Sequence, residues 1–276
     1  MAKLDSKSRI KMNDGRSIPI LGLGVYQSRP GKTTVDAVRA ALELGYRHVD
    51  TASMYGNEAD VGRAVRECGI PRKDVFVTTK LWNDDHGYDE AMRAFDSSVI
   101  ELGLEYVDLY LIHWPVPKLR LDSWRAMKEI AKSGRAKSIG VSNYTIKHLE
   151  ELADRLGDVP AVNQVEFSPF LFQRDLLDYC AEKKIVIEAY SPLTRGKRLK
   201  DRRVAKVAES LGKSPAQVLL RWCLEKGLVV LPKSTHRERI EENGEIFDFE
   251  MSEGDLAVLD DLNEDLHVSW DPTNQK

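Results

Sequence analysis

The feature that most constrains the fold is an alternation of short, β-rich apolar runs with longer amphipathic segments, repeated along almost the whole chain. Eight runs have strand character: Ile20 to Val25, Arg47 to Thr51, Val75 to Lys80, Asp108 to His113, Ala136 to Ser142, Val162 to Phe167, Ile185 to Tyr190 and Leu228 to Pro232. Most are apolar throughout, the pattern of parallel strands covered on both faces. Between them lie segments of helical spacing such as Thr33 to Leu44, Tyr88 to Leu102 and Thr145 to Leu156. Gly45, Gly103 and Gly157 follow these three, where a left-handed cap residue is wanted. Eight such units in series favour a closed barrel over an open sheet.

The expected fold class is therefore α/β: a (β/α)8 TIM barrel with an N-terminal β-hairpin and an extra C-terminal helix. The 276 residues suit one barrel domain over 1–276, since such barrels take about 250 residues. The hairpin pairs Ile10–Met12 with Ser17–Pro19 around the turn-forming Asn13–Arg16. The extra helix is Ser252 to Leu262, followed by a polar tail ending at Lys276.

Charge excludes some partners. The 41 basic and 44 acidic side chains leave a net charge of -3, with no bulk attraction to nucleic acid or an anionic membrane. No apolar run approaches the ~20 residues that span a bilayer. The N-terminus lacks the apolar stretch of a secretory signal, and Cys68, Cys180 and Cys223 are far apart. A cytoplasmic protein is expected. A monomer is expected too, as no exposed apolar stripe suggests an interface. His48, His86, His113, His148, His236 and His267 lack zinc-like spacing, so no metal is expected.

In a barrel of this kind the active site gathers at the C-terminal ends of the strands. Asp50 stands at the end of the second strand, with Tyr55 in the loop after it; Lys80 ends the third and His113 the fourth. An acid, a phenol, an amine and an imidazole thus converge from adjacent units. Together they suit carbonyl reduction, in which hydride reaches carbon and the oxygen must receive a proton. A phenol, with a pKa near ~10, becomes a better donor beside a cation. Lys80 can be that cation, Asp50 can hold Lys80, and His113 can orient the substrate oxygen. Each residue also has an ordinary structural alternative: a helix cap, a loop aromatic, a strand-end charge and a half-buried imidazole.

The sequence resembles the aldo-keto reductase family, in particular its short-loop members similar to 2,5-diketo-D-gluconate and methylglyoxal reductases. Three segments carry the resemblance: Gly45 to Ala52 with Glu58 and Gly62, then Lys137 to Tyr144, then Leu231 to Ser234 with Arg239 and Asn243. The resemblance runs from about Ile10 to beyond Leu262. It implies NADPH-dependent reduction of aldehydes and ketones without a metal. In it Tyr55 is the general acid, Asp50 and Lys80 tune it, and His113 orients the substrate. Two rival readings are a non-catalytic NADPH-binding subunit of the same fold and a phosphate-binding lyase or isomerase barrel.

No Gly-x-Gly-x-x-Gly follows a strand in the dinucleotide-binding arrangement, so a cofactor must lie across the barrel mouth. Ser142, Asn143 and Gln164 can hydrogen-bond a nicotinamide carboxamide. Tyr190 can stack on its ring or serve as a packing aromatic at the rim. Ser191, Leu193 and their neighbours can wrap a pyrophosphate, although Arg195 and Lys197 can equally be solvated charges. Lys233, Ser234, Thr235 and Arg239 gather two cations and two hydroxyls near the last strand, more than a ribose diol requires. They suit a 2′-phosphate and favour NADPH over NADH. By resemblance Glu242 and Asn243 face the adenine, and Val25 and Tyr26 join the cofactor set.

The resemblance also places Tyr26, Trp82, His113 and Trp114 around a small-molecule carbonyl substrate; the tryptophans could otherwise be core or rim aromatics. The connections after His113 and Tyr190 and the tail after Trp270 are short. An open mouth and small substrates are expected: simple aldehydes, α-dicarbonyls such as methylglyoxal, and 2,5-diketo-D-gluconate.

Overall fold

The apolar runs do become eight parallel strands, each hydrogen-bonded to the next in chain order. In the computed structural model, which describes residues 4–274, a hairpin comes first, with β1 (Arg9–Lys11) antiparallel to β2 (Ser17–Pro19). The barrel strands are β3 (Leu23–Gly24), β4 (His48–Asp50), β5 (Phe76–Leu81), β6 (Val107–Ile112), β7 (Ala136–Ser142), β8 (Val162–Glu166), β9 (Val186–Tyr190) and β10 (Val229–Leu231). A parallel bridge from Leu21 to Val230 brings the first strand back to the last.

β3 is shorter than the Ile20–Val25 run because its residues divide between two neighbours. Leu23 and Gly24 register with β4, while Gly22 N–H donates to the Val230 carbonyl at 2.9 Å. Alternation along the strands separates two apolar layers. On β6, Leu109 and Leu111 face the barrel interior with Val162, Val186 and Val229, and Met12 and Ile18 of the hairpin close that cluster. Tyr110 and Ile112 face outward into the larger layer beneath the helices. The hairpin therefore plugs one end of the barrel and leaves the other for a site.

The helices are α1 (Lys32–Glu43), α2 (Glu58–Glu67), α3 (Tyr88–Leu102), α4 (Arg120–Lys132), α5 (Ile146–Leu156), α6 (Arg174–Glu182), α7 (Arg202–Leu211), α8 (Pro215–Glu225), α9 (Arg237–Gly244) and α10 (Glu253–Asp260). Thr145 caps α5 rather than joining it. Gly103 ends α3 with φ 59°, a backbone that a side chain would strain. Gly62 on α2 is needed for space: an added Cβ would lie 1.7 Å from the Leu102 carbonyl oxygen of α3.

Two helices, not the single one of a plain repeat, join β9 to β10. Gly212 ends α7, and Ser214 starts α8 with a capping box in which Gln217 N–H donates to Ser214 Oγ at 3.2 Å and Ser214 N–H to Gln217 Oε1 at 3.0 Å. The extra C-terminal helix is present as α10, capped by Ser252. Among the described residues no helix is long and apolar enough to cross a membrane.

Candidate active site

Asp50 ends β4, Lys80 lies near the end of β5, and their side chains meet inside the barrel. Lys80 Nζ donates to Asp50 Oδ1 at 2.7 Å, Asp50 Oδ2 at 2.8 Å and the Thr51 carbonyl at 2.8 Å. It also reaches the Tyr55 hydroxyl at 3.4 Å and sits 5.0 Å from that ring's centre. Tyr55 closes a single 3-10 turn, Ser53–Tyr55, and Ser53 Oγ ties the turn to β5 by donating to the Lys80 carbonyl at 3.0 Å. His113 follows β6; its N–H donates to the Leu81 carbonyl at 3.1 Å, and its ring stands edge-on to Tyr55 at 5.7 Å. The four groups are thus one constellation from three consecutive strands.

Their electrostatics differ in one respect from the sequence reading. Burial pushes the Tyr55 phenol well above its ordinary value, and the charge of Asp50 adds to the rise. The expected acidifying effect of Lys80 does not prevail, because Asp50 already neutralises that ammonium through both its oxygens. The resting phenol keeps its proton. Burial, followed by the charge of Lys80, holds the His113 imidazole well below its ordinary value, so it is neutral, and its Nδ1 has no hydrogen-bond partner.

A cavity of about 710 Å³ opens over these groups and runs to Lys233 and Arg239. Its walls include Tyr26, Asp50, Tyr55, His113, Trp114, Ser142, Asn143, Gln164, Tyr190, Ser191, Leu193, Lys233, Ser234, Thr235, Arg239, Glu242 and Asn243. Three other residues of the expected set lie off the wall. Lys80 is wholly buried beneath Tyr55. Trp82 packs edge-on to His113 at 5.2 Å. Val25 is buried, and its backbone is already engaged: its N–H donates to the Asp50 carbonyl at 3.1 Å, and its carbonyl accepts from Asn57 Nδ2 at 3.1 Å.

The polar wall is organised internally. Asn143 has a left-handed backbone, φ 63°. Its Nδ2 donates to the His113 carbonyl at 2.9 Å, and its Oδ1 accepts from the Tyr190 hydroxyl at 2.8 Å. Ser191, Thr194 and Arg195 have φ of 50°, 50° and 51°, which bends the loop after β9 over the cavity. Arg195 lies 5.7 Å from the centre of the Tyr26 ring, across the mouth. At the far end, Arg237 pairs with Glu43 at 2.5 Å. Lys233 and Arg239 line the cavity and form no ion pair among the described residues.

Sequence reasoning missed two features. The tail reaches the mouth: Glu166 Oε1 accepts from Val268 N–H at 2.7 Å and Oε2 from Ser269 N–H at 2.9 Å. This places Trp270 edge-on to Trp114 at 5.5 Å. The second feature lies beneath the four groups, where Glu188 and His48 are completely buried. A charged residue in the middle of the apolar Val186–Tyr190 run was its only visible signal. No group of His, Cys, Asp and Glu among the described residues is arranged to hold a metal.

Barrel, constellation and cavity define a class, and comparison with known proteins names it. The chain belongs to the aldo/keto reductase family, whose sequence model matches residues 21–264. It is 45% identical to the glyoxal reductase of Bacillus subtilis, over 96% of each chain. The crystal structure of an aldo/keto reductase from Brucella melitensis is 46% identical, covering 93% of this chain and 99% of that one, with a TM-score of 0.90. The NADPH complex of a mutant of Gox0644 is 40% identical, covering 99% of this chain and 100% of that one, with a TM-score of 0.93.

Proposed function

We propose that this protein reduces small aldehydes and α-dicarbonyls such as methylglyoxal to alcohols with NADPH, Tyr55 donating the proton. The observation that carries this reading is Lys80 Nζ, held beneath the cavity between the Asp50 carboxylate at 2.7 Å and the Tyr55 hydroxyl at 3.4 Å. The glyoxal reductase relative supports the substrate class, and the NADPH complex of Gox0644 supports the cofactor.

The residues present fit such a cofactor. One cavity is lined both by the Tyr55 phenol and by two cations without ion-pair partners among the described residues, Lys233 and Arg239. Ser142, Asn143 and Gln164 would hold the carboxamide, Tyr190 the ring face, the loop from Ser191 the pyrophosphate, and Lys233, Ser234 and Arg239 a 2′-phosphate. When bound, NADPH supplies the hydride that adds to the carbonyl carbon. His113, neutral and on the cavity wall beside Tyr55, orients the carbonyl oxygen toward that phenol. Tyr55 transfers its proton to that oxygen as negative charge develops there. The phenolate left behind faces Lys80, whose charge now has a partner worth stabilising. Asp50 keeps Lys80 in place throughout, and solvent returns the proton to Tyr55.

The test is NADPH oxidation with methylglyoxal, by the parent protein and by Tyr55→Phe. The parent should turn over, and the variant should lose about 10²- to 10⁴-fold, as for a general acid, while NADPH still quenches tryptophan fluorescence. Undiminished turnover by Tyr55→Phe would remove Tyr55 from the role.

A further inference from the structure

A second carboxyl group lies behind the constellation. Glu188, on β9, is Cα partner to Gln164 on β8, and both side chains enter the barrel. Gln164 Nε2 donates one hydrogen to Asp50 Oδ2 at 2.8 Å and the other to Glu188 Oε2 at 3.1 Å. Asp50, held as a carboxylate by Lys80, can only accept, so the amide must present its nitrogen there and its orientation is settled. Asp50 is thereby gripped by Lys80 on one side and Gln164 on the other, with Glu188 securing Gln164.

The groups around Glu188 leave one proton to place. β10 offers only Val229, Val230 and Leu231. β8 offers Gln164. Across the barrel are His48 and Asp50 from β4 and Thr78 and Lys80 from β5, while Arg9 of the hairpin acts on His48 from below. His48 Nε2 lies 3.0 Å from Thr78 Oγ1 and 3.6 Å from Glu188 Oε1, and Glu188 Oε1 has no hydrogen-bond partner. There is one ammonium for two carboxyl groups, and Asp50 engages it with both oxygens. Two carboxylates bridged by a single amide cannot both be charged cheaply in a dry interior.

We propose that Glu188 is a positioning residue that holds Asp50 through Gln164 while carrying a proton, and that its ionisation slows reduction. The inference rests on the reductase reading above. Burial, with the charge of Asp50, pushes the Glu188 carboxyl up to about 8, and burial holds His48 down at about 3, so the proton resides on Glu188 at neutral pH. Ionised, Glu188 places a second negative charge behind Asp50. Forming a phenolate at Tyr55 then becomes less favourable, and proton donation weakens.

Three variants and one spectrum test this. The parent's kcat/KM for methylglyoxal should fall above pH about 8, about tenfold per pH unit. In Glu188→Gln, which keeps an acceptor for Gln164 but cannot ionise, that limb should move up by about one pH unit or more. Glu188→Met, of similar bulk but with no acceptor, should lose about tenfold in kcat/KM at pH 7, as expected when a buried donor is left unpaired. Glu188→Gln should recover most of that loss, which a purely space-filling role would not produce. His48→Gln should leave the limb in place, since the proton is on Glu188. In the unmodified protein, infrared difference spectra should show a buried carboxylic-acid carbonyl band at pH 7 that is gone at pH 10. Superimposable pH profiles for parent and Glu188→Gln, or absence of the band at pH 7, overturn the proposal alone. Failure of the parent to oxidise NADPH with any carbonyl overturns the reductase reading as well.

Discussion

Lys80 and Asp50 are joined twice, Nζ to Oδ1 at 2.7 Å and to Oδ2 at 2.8 Å, in an interior that leaves Lys80 no exposed surface. This double contact explains why the ammonium does not acidify the resting phenol beside it. Its charge is already balanced, and in the proposed mechanism it becomes available to Tyr55 only as negative charge forms there.

Removing the ammonium should therefore affect folding as well as chemistry. Lys80→Met leaves the Asp50 carboxylate buried without its cation, at a cost of about 3–5 kcal/mol. Urea unfolding should register that loss, and kcat/KM should fall about 10²-fold or more. A variant that is inactive yet as stable as the parent would show that the pair contributes nothing to folding.

In the proposed cofactor site Arg239 would set the preference for NADPH. A charge-assisted contact to a phosphate is worth about 1.5–3 kcal/mol. Arg239→Ala should accordingly weaken NADPH binding about tenfold or more, with little change for NADH. Fluorescence titration with both nucleotides measures this, and equal weakening of the two would place Arg239 away from the 2′-phosphate.

Glu166 governs the tail. Replacing it by Ala leaves Val268 and Ser269 N–H without their acceptor and frees Trp270 from Trp114. An aromatic pair is worth about 0.5–1.5 kcal/mol, so kcat/KM for an aromatic aldehyde should drop by up to about tenfold. Methylglyoxal, too small to span both rings, should be affected less. The ratio of the two substrates is the readout.

Acid should destabilise the fold through buried histidines. Burial holds His48 at about 3 and His86 at about 4, against 6.5 for a free imidazole. The unfolded chain binds more protons between these values, so stability falls as pH drops below about 6.5. Each histidine contributes about 1.4 kcal/mol per pH unit. Glu188, raised to about 8 from 4.5, acts in the opposite sense: its share of stability is lost as pH rises from 4.5 to 8. Glu188→Gln should then steepen the acid loss. Nitrogen NMR of the imidazoles should find His48 and His86 neutral at pH 5; titration near 6.5 would contradict their burial.

Much was legible in the chain order. Period and glycine placement located all eight barrel strands, and α3 to the residue, because a strand covered on both faces and a capped amphipathic helix each leave a local signature. The convergence of Asp50, Tyr55, Lys80 and His113 followed from strand ends alone, since parallel strands of one barrel all point the same way. Tertiary structure decided the rest. Gln164 and Asp50 are 114 residues apart and meet only because β8 and β4 face one another across the closed barrel. The same closure buries Glu188 beside Asp50, turns Val25 away from the cavity and raises the Tyr55 phenol. Periodicity tells which side of a strand faces inward, but not which inward side chain it meets. That depends on the register around the barrel, and desolvation and charge, which set each proton's place, depend on that meeting.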